Sequence, residues 1–572
     1  MSKDTTSPPR RKMVRWYDPV QLLHTGVEVI VSAVLGTRSD YRVMESFSGP
    51  QDVFDYSGER EIWIDYVADL GDGWNSTHTI ATLLAKDLLD VPAPQQESSK
   101  PGSPRQESPP VRTSRGRILI MGGDEVYPVA SRDGYQERTV APYKSALPRT
   151  EPPHPVIFAI PGNHDWYDGL VSFTRLFCQH RWIAGWQTRQ KRSYFALKLP
   201  AGWWLWGVDL QLESDIDQPQ LEYFCEVAKK MSPGDQVILA TAEPDWIYGN
   251  IYDPKLGKNI AFLEKNVIRE LASARLMVAL AGDLHHYRRH ESLDGARTQL
   301  ITSGGGGAFL HPTYGSDVSE LKVGKEPVTR YALKSEYPDQ KTSKRLLWRD
   351  WLFPFYNPTF GLLTGAVYLA IAWIYREPVL RELGWLAPNP PKLAMAEAFV
   401  RALVGSPAGF FWMFAVIVVF WAFTDTHKPA YRYVAGTVHA LSHLAGIIVA
   451  SWVAIRITTD FAGFAAGSLK GILLDAILIF AVGYVWGAML MGIYLFVSLR
   501  FFRRHANEAF SALHIADYKN FLRMHIDPSG TLTIFPIGVD KIPTRWDGQA
   551  RSSSLPPHID PKLIESPIRV TR

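Results

Sequence analysis

The sequence predicts a layered α/β domain, then an all-α transmembrane domain of about four helices, then a small β-containing C-terminal tail. Three observations carry this. From residue 61 to about 315, apolar β-rich runs recur, each stopping at glycine or polar residues, with helical patterns between them. From about 355 to 500 charges nearly vanish and apolar runs reach bilayer length. Beyond 501, TLTIFPIGV alternates like a strand behind the turn residues Pro528, Ser529 and Gly530.

A chain of 572 residues has room for more than one domain, and its formal charge of +4 is small for that size, so nucleic acid is not expected as a partner. Two cysteines, Cys178 and Cys225, supply neither a disulfide framework nor a thiolate zinc cluster. They suit a reducing compartment and read as small buried apolar side chains.

Residues 1–60 read as an N-terminal amphipathic, helical segment. In VQLLHTGVEVIVSAVLG, His24 and Glu28 interrupt a run that a secretory signal would keep apolar. The large domain that follows, 61–315, is therefore expected in the cytoplasm. It opens with EIWIDYVADL and a helix, THTIATLLAKDLL, that Asn75 or Ser76 would cap. Residues 91–115 are rich in Pro, Ser and Gln and too poor in apolar groups to pack, so they read as a disordered insertion. After it come GRILIMGGDEVY, HPVIFAIPGNHDWY, SYFALKLPAGWWLWGVDL, DQVILATAEPDW, ARLMVALAGDLHHY and RTQLITSGGGGAF, each an apolar strand with a polar or glycine end.

A juxtamembrane linker, 316–354, leads to spans near 358–375, 407–423, 433–455 and 473–499. Lys341, Lys344, Arg345, Arg349, Lys428, Arg432, Arg500, Arg503 and Arg504 flank them on one side. Arg376, Arg381, Lys392, Arg401, Arg456 and Lys470 lie on the other. This bias predicts a multi-pass protein of the cell membrane, with the N-terminal domain and the tail 501–572 both cytoplasmic. An even number of crossings returns the chain to its starting side.

The strand ends hold the chemistry: Asp69 and Asp72, Asp124 and Tyr127, Asn163 and His164, Asp283 and His285. α/β sheets place their sites past the carboxyl ends of strands. One such end is an ordinary turn; four, all offering oxygen or imidazole donors, are poorly explained that way.

In their order D, GD, GNH[DE], H, GHxH, these motifs resemble those of the calcineurin-like metallophosphoesterase superfamily. Asp69-Leu70-Gly71 and Gly123-Asp124-x-x-Tyr127 are similar to its purple acid phosphatase branch. The resemblance covers about residues 60–310. Asp69 and Asp124 lie 55 positions apart, and without the 25-residue segment 91–115 the separation is 30, enough for a β–α–β crossover.

The resemblance implies a β-sandwich flanked by helices and a dinuclear metal centre that hydrolyses a phosphate mono- or diester. It implies Asp124 as the bridging ligand, with Asp69, His285 and Tyr127 on the first metal and Asn163 on the second. His164 would be catalytic, sitting over the phosphate, its ring oriented by a carboxylate such as Asp69.

Two departures fall on the second metal. Ala242, with Glu243 beside it, stands where the family usually has a histidine, and Asp283 replaces the first His of GHxH. The second set is then Asp124, Asn163, Asp283 and Glu243, all oxygen donors. Two divalent or trivalent ions are expected, manganese or iron favoured, magnesium admissible, zinc disfavoured. The alternative is a catalytically impaired module that binds a phosphate ligand and signals through the membrane helices. The expected partners are a phosphoester substrate, at the membrane surface in the first reading, and the lipid bilayer; substrate identity and oligomeric state are not legible.

Weaker candidates remain. Ser303-Gly304-Gly305-Gly306-Gly307 reads as a tight turn before it reads as a phosphate cradle. His286 and His290 read as rim residues. His439 and His443, at i and i+4 in the third span, read as hydrogen-bonding groups between helices, with a metal or haem site as the competing reading.

Overall fold

The computed structural model describes residues 10–35, 52–94, 109–210, 216–253, 255–324, 328–382, 397, 400–401, 404–405, 407–424, 428–465, 467–546 and 559–571. They divide into two units. The first holds the described residues of Met1–Val14, His24–Ser343 and His514–Arg572; the second holds Arg15–Leu23 and Lys344–Leu513.

Among the described residues the first unit carries two nine-stranded sheets. At the centre of one, Ile62–Val67, Ile118–Met121 and Val156–Ala159 pair in parallel. At the centre of the other, Gln236–Ala240, Arg275–Ala281 and Gln299–Ser303 do the same. Alternation along each strand builds the layers. Ile64, Ile118, Ile120 and Phe158 of the first sheet share a core with Leu205, Ile238, Leu280 and Ile301 of the second. The opposite face of the first sheet, with Leu119 and Met121, packs on Ile80, Leu84 and Phe173 from helices. That of the second, with Trp204, Trp206 and Leu239, packs on Phe224 and Ile268. Helices thus cover both outer faces of a β-sandwich.

The C-terminal segment is part of this sandwich. Lys519–Ile526 pairs antiparallel with Ile62–Val67, and Leu532–Val539 pairs antiparallel with Lys519–Ile526. Register sets Arg523 opposite Asp65, and the guanidinium meets both carboxylate oxygens at 2.7 and 3.1 Å with both side chains buried. The alternation in TLTIFPIGV identified the strands, but a strand with two buried faces needs a sheet to join, and sequence pattern does not name the partner.

Two local expectations are corrected. The 91–115 segment is not wholly disordered: Val111–Ser114 forms a hairpin ladder with Leu88–Val91, while 95–108 lie outside the described residues. The helix Trp74–Leu84 has Gly73 at its N-cap with no side-chain cap. Ser76 Oγ instead donates to the carbonyls of Gly73 and Gly307 at 3.0 and 2.5 Å, and Asn75 accepts from Trp546 Nε1 at 3.1 Å.

The N-terminal helix runs Pro19–Leu35. In the second unit three helices among the described residues are long and apolar enough to cross a membrane: Pro358–Tyr375, Pro429–Phe461 and Leu469–Phe502. The apolar helix at the remaining expected span, Pro407–Phe423, has 17 residues and is shorter. His443 Nδ1 lies 3.1 Å from the Tyr368 hydroxyl of a neighbouring helix, and its Nε2 lies 3.3 Å from His439 Nε2.

Candidate functional site

Six parallel strands end at one edge of the sandwich, and the residues just past them converge. Asp69, Asp124 and Asp283 all adopt left-handed backbone, with φ of 57°, 54° and 65°. Such conformations are uncommon outside glycine and cluster at functional sites, where surrounding bonds over-determine them. Those bonds are present: Asp69 N donates to the Gly123 carbonyl and Leu70 N to the Asp124 carbonyl, each at 2.9 Å. Asp283 N spans the two oxygens of Asp69 at 3.0 and 2.9 Å. Gly162 permits the approach of the third strand end, because a Cβ there would lie 2.1 Å from Asp124 Oδ1.

The centre of the site is the Tyr127 hydroxyl. It lies 3.3 Å from Asp69 Oδ1, 3.0 Å from Asp124 Oδ2 and 3.0 Å from His285 Nε2, with all four side chains buried. His285 Nδ1 faces the Phe309 carbonyl at 2.7 Å, which assigns its proton there and leaves Nε2 a bare lone pair. A phenol has one proton and three acceptors here. Two of those acceptors are buried carboxylates, so the phenol proton satisfies only one of the three. Burial, then Asp124 and Asp283, push the Asp69 carboxyl well above its usual range; burial, then Asp165 and Asp283, do the same to Asp124. A bound cation relieves this cost. Among the described residues no group of three His, Cys, Asp or Glu side chains is arranged to hold a metal ion; the three acceptors meet on the Tyr127 hydroxyl instead.

The second half is more open. Asn163, His164, Glu243 and Asp283 are half-buried. Asn163 Nδ2 donates to the Tyr167 hydroxyl at 3.0 Å, and Asp283 accepts from the Tyr248 hydroxyl. Ala242 is buried at the end of its strand against Gly123, its methyl 2.8 Å from where a Cβ of that glycine would stand. The Glu243 carboxylate acts electrostatically on Tyr167 and Tyr248.

His164 is oriented differently from expectation. Its Nδ1 meets the Pro128 carbonyl at 2.6 Å, not Asp69, and its ring lies between Tyr127 and Tyr167. The neighbouring carboxylate is used by the backbone instead: His164 N donates to Asp124 Oδ1 at 2.9 Å. Burial, partly offset by the Pro128 carbonyl, pulls the ring down to about 4. In the neutral ring Nδ1–H donates to that carbonyl, which fixes the tautomer.

Several neighbours have structural roles that the sequence did not indicate. His311 stacks on His285 with centroids 3.8 Å apart. Asp165, quoted in GNHD without a role, accepts from Gly162 N at 2.9 Å, Glu125 N at 3.3 Å and the Tyr135 hydroxyl, and so braces the second and third strand ends. Asp72 fastens the N-terminal arm and the glycine run, accepting from Val14 N at 2.7 Å and Phe309 N at 3.1 Å. Lys519, from the C-terminal strand, is fully buried; burial lowers it to about 8, offset by Asp517, Asp72 and Asp69.

The glycine run is a close-packing device. Gly306 N donates to the Ala68 carbonyl and Ala308 N to the Asp69 carbonyl, both at 2.8 Å, and a Cβ on Gly304 would lie 2.3 Å from Asp69 Oδ2. Those N–H groups are spent on the strand end, so the turn reading stands. His286 and His290 are buried, not on the rim, because Tyr287–Ser292 is an interior strand between Gln299–Ser303 and Thr329–Tyr337. His290 Nε2 meets the Val318 carbonyl at 2.8 Å.

No protein-family sequence model matches the chain, and no curated protein matches it. Among solved structures, the chain is similar to a purple acid phosphatase isolated from yellow lupin (Lupinus luteus) seeds, at 14% identity and a TM-score of 0.28. The match covers 47% of this chain and 47% of that one.

Proposed function

We propose that the chain is a membrane-anchored, metal-dependent phosphoesterase that hydrolyses a phosphate mono- or diester. The observation that carries the reading is the convergence of two buried carboxylates and a bare imidazole nitrogen on one phenol hydroxyl, at the carboxyl edge of a helix-covered sandwich. The motif order in the sequence supports the same chemistry. Asp69, Asp124, Tyr127 and His285 would hold a first ion, and Asp124, Asn163, Asp283 and Glu243 a second. This donor set suits manganese or iron, admits magnesium and disfavours zinc. When bound, such ions supply a nucleophile at neutral pH and counter-charge for the phosphoryl oxygens.

The chain's own residues do the rest. The Phe309 carbonyl fixes the His285 tautomer so that Nε2 faces the site. His164, its ring held by the Pro128 carbonyl, would hydrogen-bond a phosphoryl or leaving oxygen. Tyr167 and Tyr248 steady Asn163 and Asp283.

Membrane anchoring rests on the three long apolar helices. Pairing of Lys519–Ile526 with Ile62–Val67 supports an even number of crossings, because strands cannot pair across a bilayer. With three long helices, that parity favours Pro407–Phe423 as a fourth. The basic bias favours the cytoplasmic side for the sandwich.

One feature favours the second reading, a phosphate-binding sensor with an impaired centre: Ala242 offers no donor, and Asp283 already accepts from Tyr248. Metal analysis of the purified full chain, run with a screen of chromogenic mono- and diesters under manganese, iron, zinc and magnesium, separates the two. Two ions per chain with turnover are expected. One ion or none, without turnover under any metal, rejects the phosphoesterase reading.

A further inference from the structure

One end of the helical unit gathers segments that are far apart in sequence. Trp348 and Trp351 rest on Phe496 with ring centroids 4.7 and 5.8 Å away. Tyr431 lies 5.3 Å from Phe502, and its hydroxyl meets Ser498 Oγ at 2.6 Å. Arg432 Nε donates to the Trp421 carbonyl at 2.9 Å. The chain before Pro358, the end of Pro407–Phe423, the start of Pro429–Arg456 and the end of Ala488–Phe502 therefore share one level. At the other level, the Tyr375 hydroxyl donates to the Gly409 carbonyl near the start of Pro407–Phe423.

The shared level is aromatic and cationic on its outside. Trp348, Phe355 and Phe501 are 59%, 83% and 66% exposed, and Arg345, Arg349 and Arg503 are exposed among them. The sole acid between 344 and 356, Asp350, points inward and is fully buried, so it does not offset the arginines. At the opposite end Arg456 is paired with Asp460 at 2.7 Å. Exposed tryptophans beside arginines, at the ends of apolar helices, match the chemistry of a bilayer's headgroup layer. Indole rings settle at the polar boundary, and planar guanidinium groups bind phosphate through two N–H donors.

We propose that this ring, built on Arg345, Arg349, Arg503 and Trp348, binds the headgroup phosphates of anionic glycerophospholipids. The assignment rests on the membrane-spanning reading but not on hydrolysis. The leaflet at this end would be recognised by charge, and the ring would fix the depth of four helix ends at once. Anionic lipid is favoured over zwitterionic lipid because the exposed guanidinium groups of Arg345, Arg349 and Arg503 attract a headgroup of net negative charge more strongly than one of zero net charge.

The test uses the purified full chain in detergent, titrated with phosphatidylglycerol, phosphatidylcholine or inorganic phosphate while thermal unfolding is followed. Phosphatidylglycerol should stabilise the chain at lower concentration than phosphatidylcholine. Arg345→Gln, Arg349→Gln and Arg503→Gln should each cut that preference about fivefold. Arg349→Lys, which keeps the charge, should retain most of it and serves as the control for folding. Equal stabilisation by the two lipids, full preference in the combined glutamine variant, or equal stabilisation by inorganic phosphate would overturn the proposal. A chain that does not enter lipid nanodiscs at all overturns it together with the membrane reading, and leaves the phosphoesterase reading standing.

Discussion

The two halves of the candidate site are built from the same parts, strand ends at one sheet edge, yet they differ in what their side chains do. Asp69, Asp124, Tyr127 and His285 are buried and turned toward one another. Asn163, His164, Glu243 and Asp283 are half-buried, and three of them are tied to a phenol or a carbonyl. On the proposed function, buried donors facing one another would hold a cation whether or not substrate is present. The open half would take an exchangeable ion and the phosphoryl group. Asymmetry of this kind would give metal retention to the first half and substrate response to the second.

The largest effect is expected where the halves meet. Asp124→Ala removes a carboxylate that faces both, accepting from Tyr127 on one side and from His164 N on the other. Metal loading and hydrolysis should be lost together. Asn163→Ala should abolish hydrolysis and lower the metal count as well, by emptying the open half. Metal analysis of variants whose circular dichroism is unchanged checks this; wild-type turnover in either rejects the comparison.

Tyr127→Phe sharpens the first half alone. The ring still packs against His164 and His285 while the hydroxyl at the focus is gone. Affinity for the tightly held ion should fall on the order of 10–100-fold, as for loss of a group that orients or supplies a ligand. Competition with a metallochromic chelator reads this directly.

What the sequence revealed and what it hid follow the same division. Strand ends were legible because a short continuous apolar run that stops at Gly-Asp or Gly-Asn-His puts a buried strand and a turn signal in one stretch. The neighbours were not, because His311 and Tyr248 reach the site through packing between elements, and adjacency in space has no local signature. The C-terminal strand is the clearest case. Alternation marked Leu532–Val539, but the strand it pairs with, Lys519–Ile526, lies beside Ile62–Val67, and its Arg523, buried on Asp65, joins residues 458 positions apart. His164 illustrates the limit on roles: GNHD fixed its position, while the partner of its ring came from a proline carbonyl 36 residues upstream.

The open half can be altered in both directions. Asp283→Ala should weaken the second ion and lower activity while the first stays bound, since Asp69, Asp124 and His285 are untouched. Ala242→His restores an imidazole beside Gly123 and should shift metal preference toward zinc, because a neutral imidazole is a better zinc ligand than water or a carbonyl. Titration of each variant with zinc and manganese is the measurement. If Asp283→Ala binds two ions and turns over like the parent, an oxygen-rich second site is wrong.

The smallest effect is expected for Tyr248→Phe. The phenol donates to Asp283 from the helix Asp245–Ile251 and so fixes the carboxylate's direction without itself meeting the first half. Losing that bond frees one carboxylate oxygen. If Asp283 is a ligand, the change raises its availability to an ion but loosens its aim, and the two consequences oppose each other. Manganese affinity should therefore change by less than about tenfold, while KM for the ester moves more than kcat, since the open half is where substrate enters. Should Tyr248→Phe instead abolish turnover with both ions in place, the phenol itself acts on the substrate, and the open half owes its reactivity to Tyr248 as much as to its metal ligands.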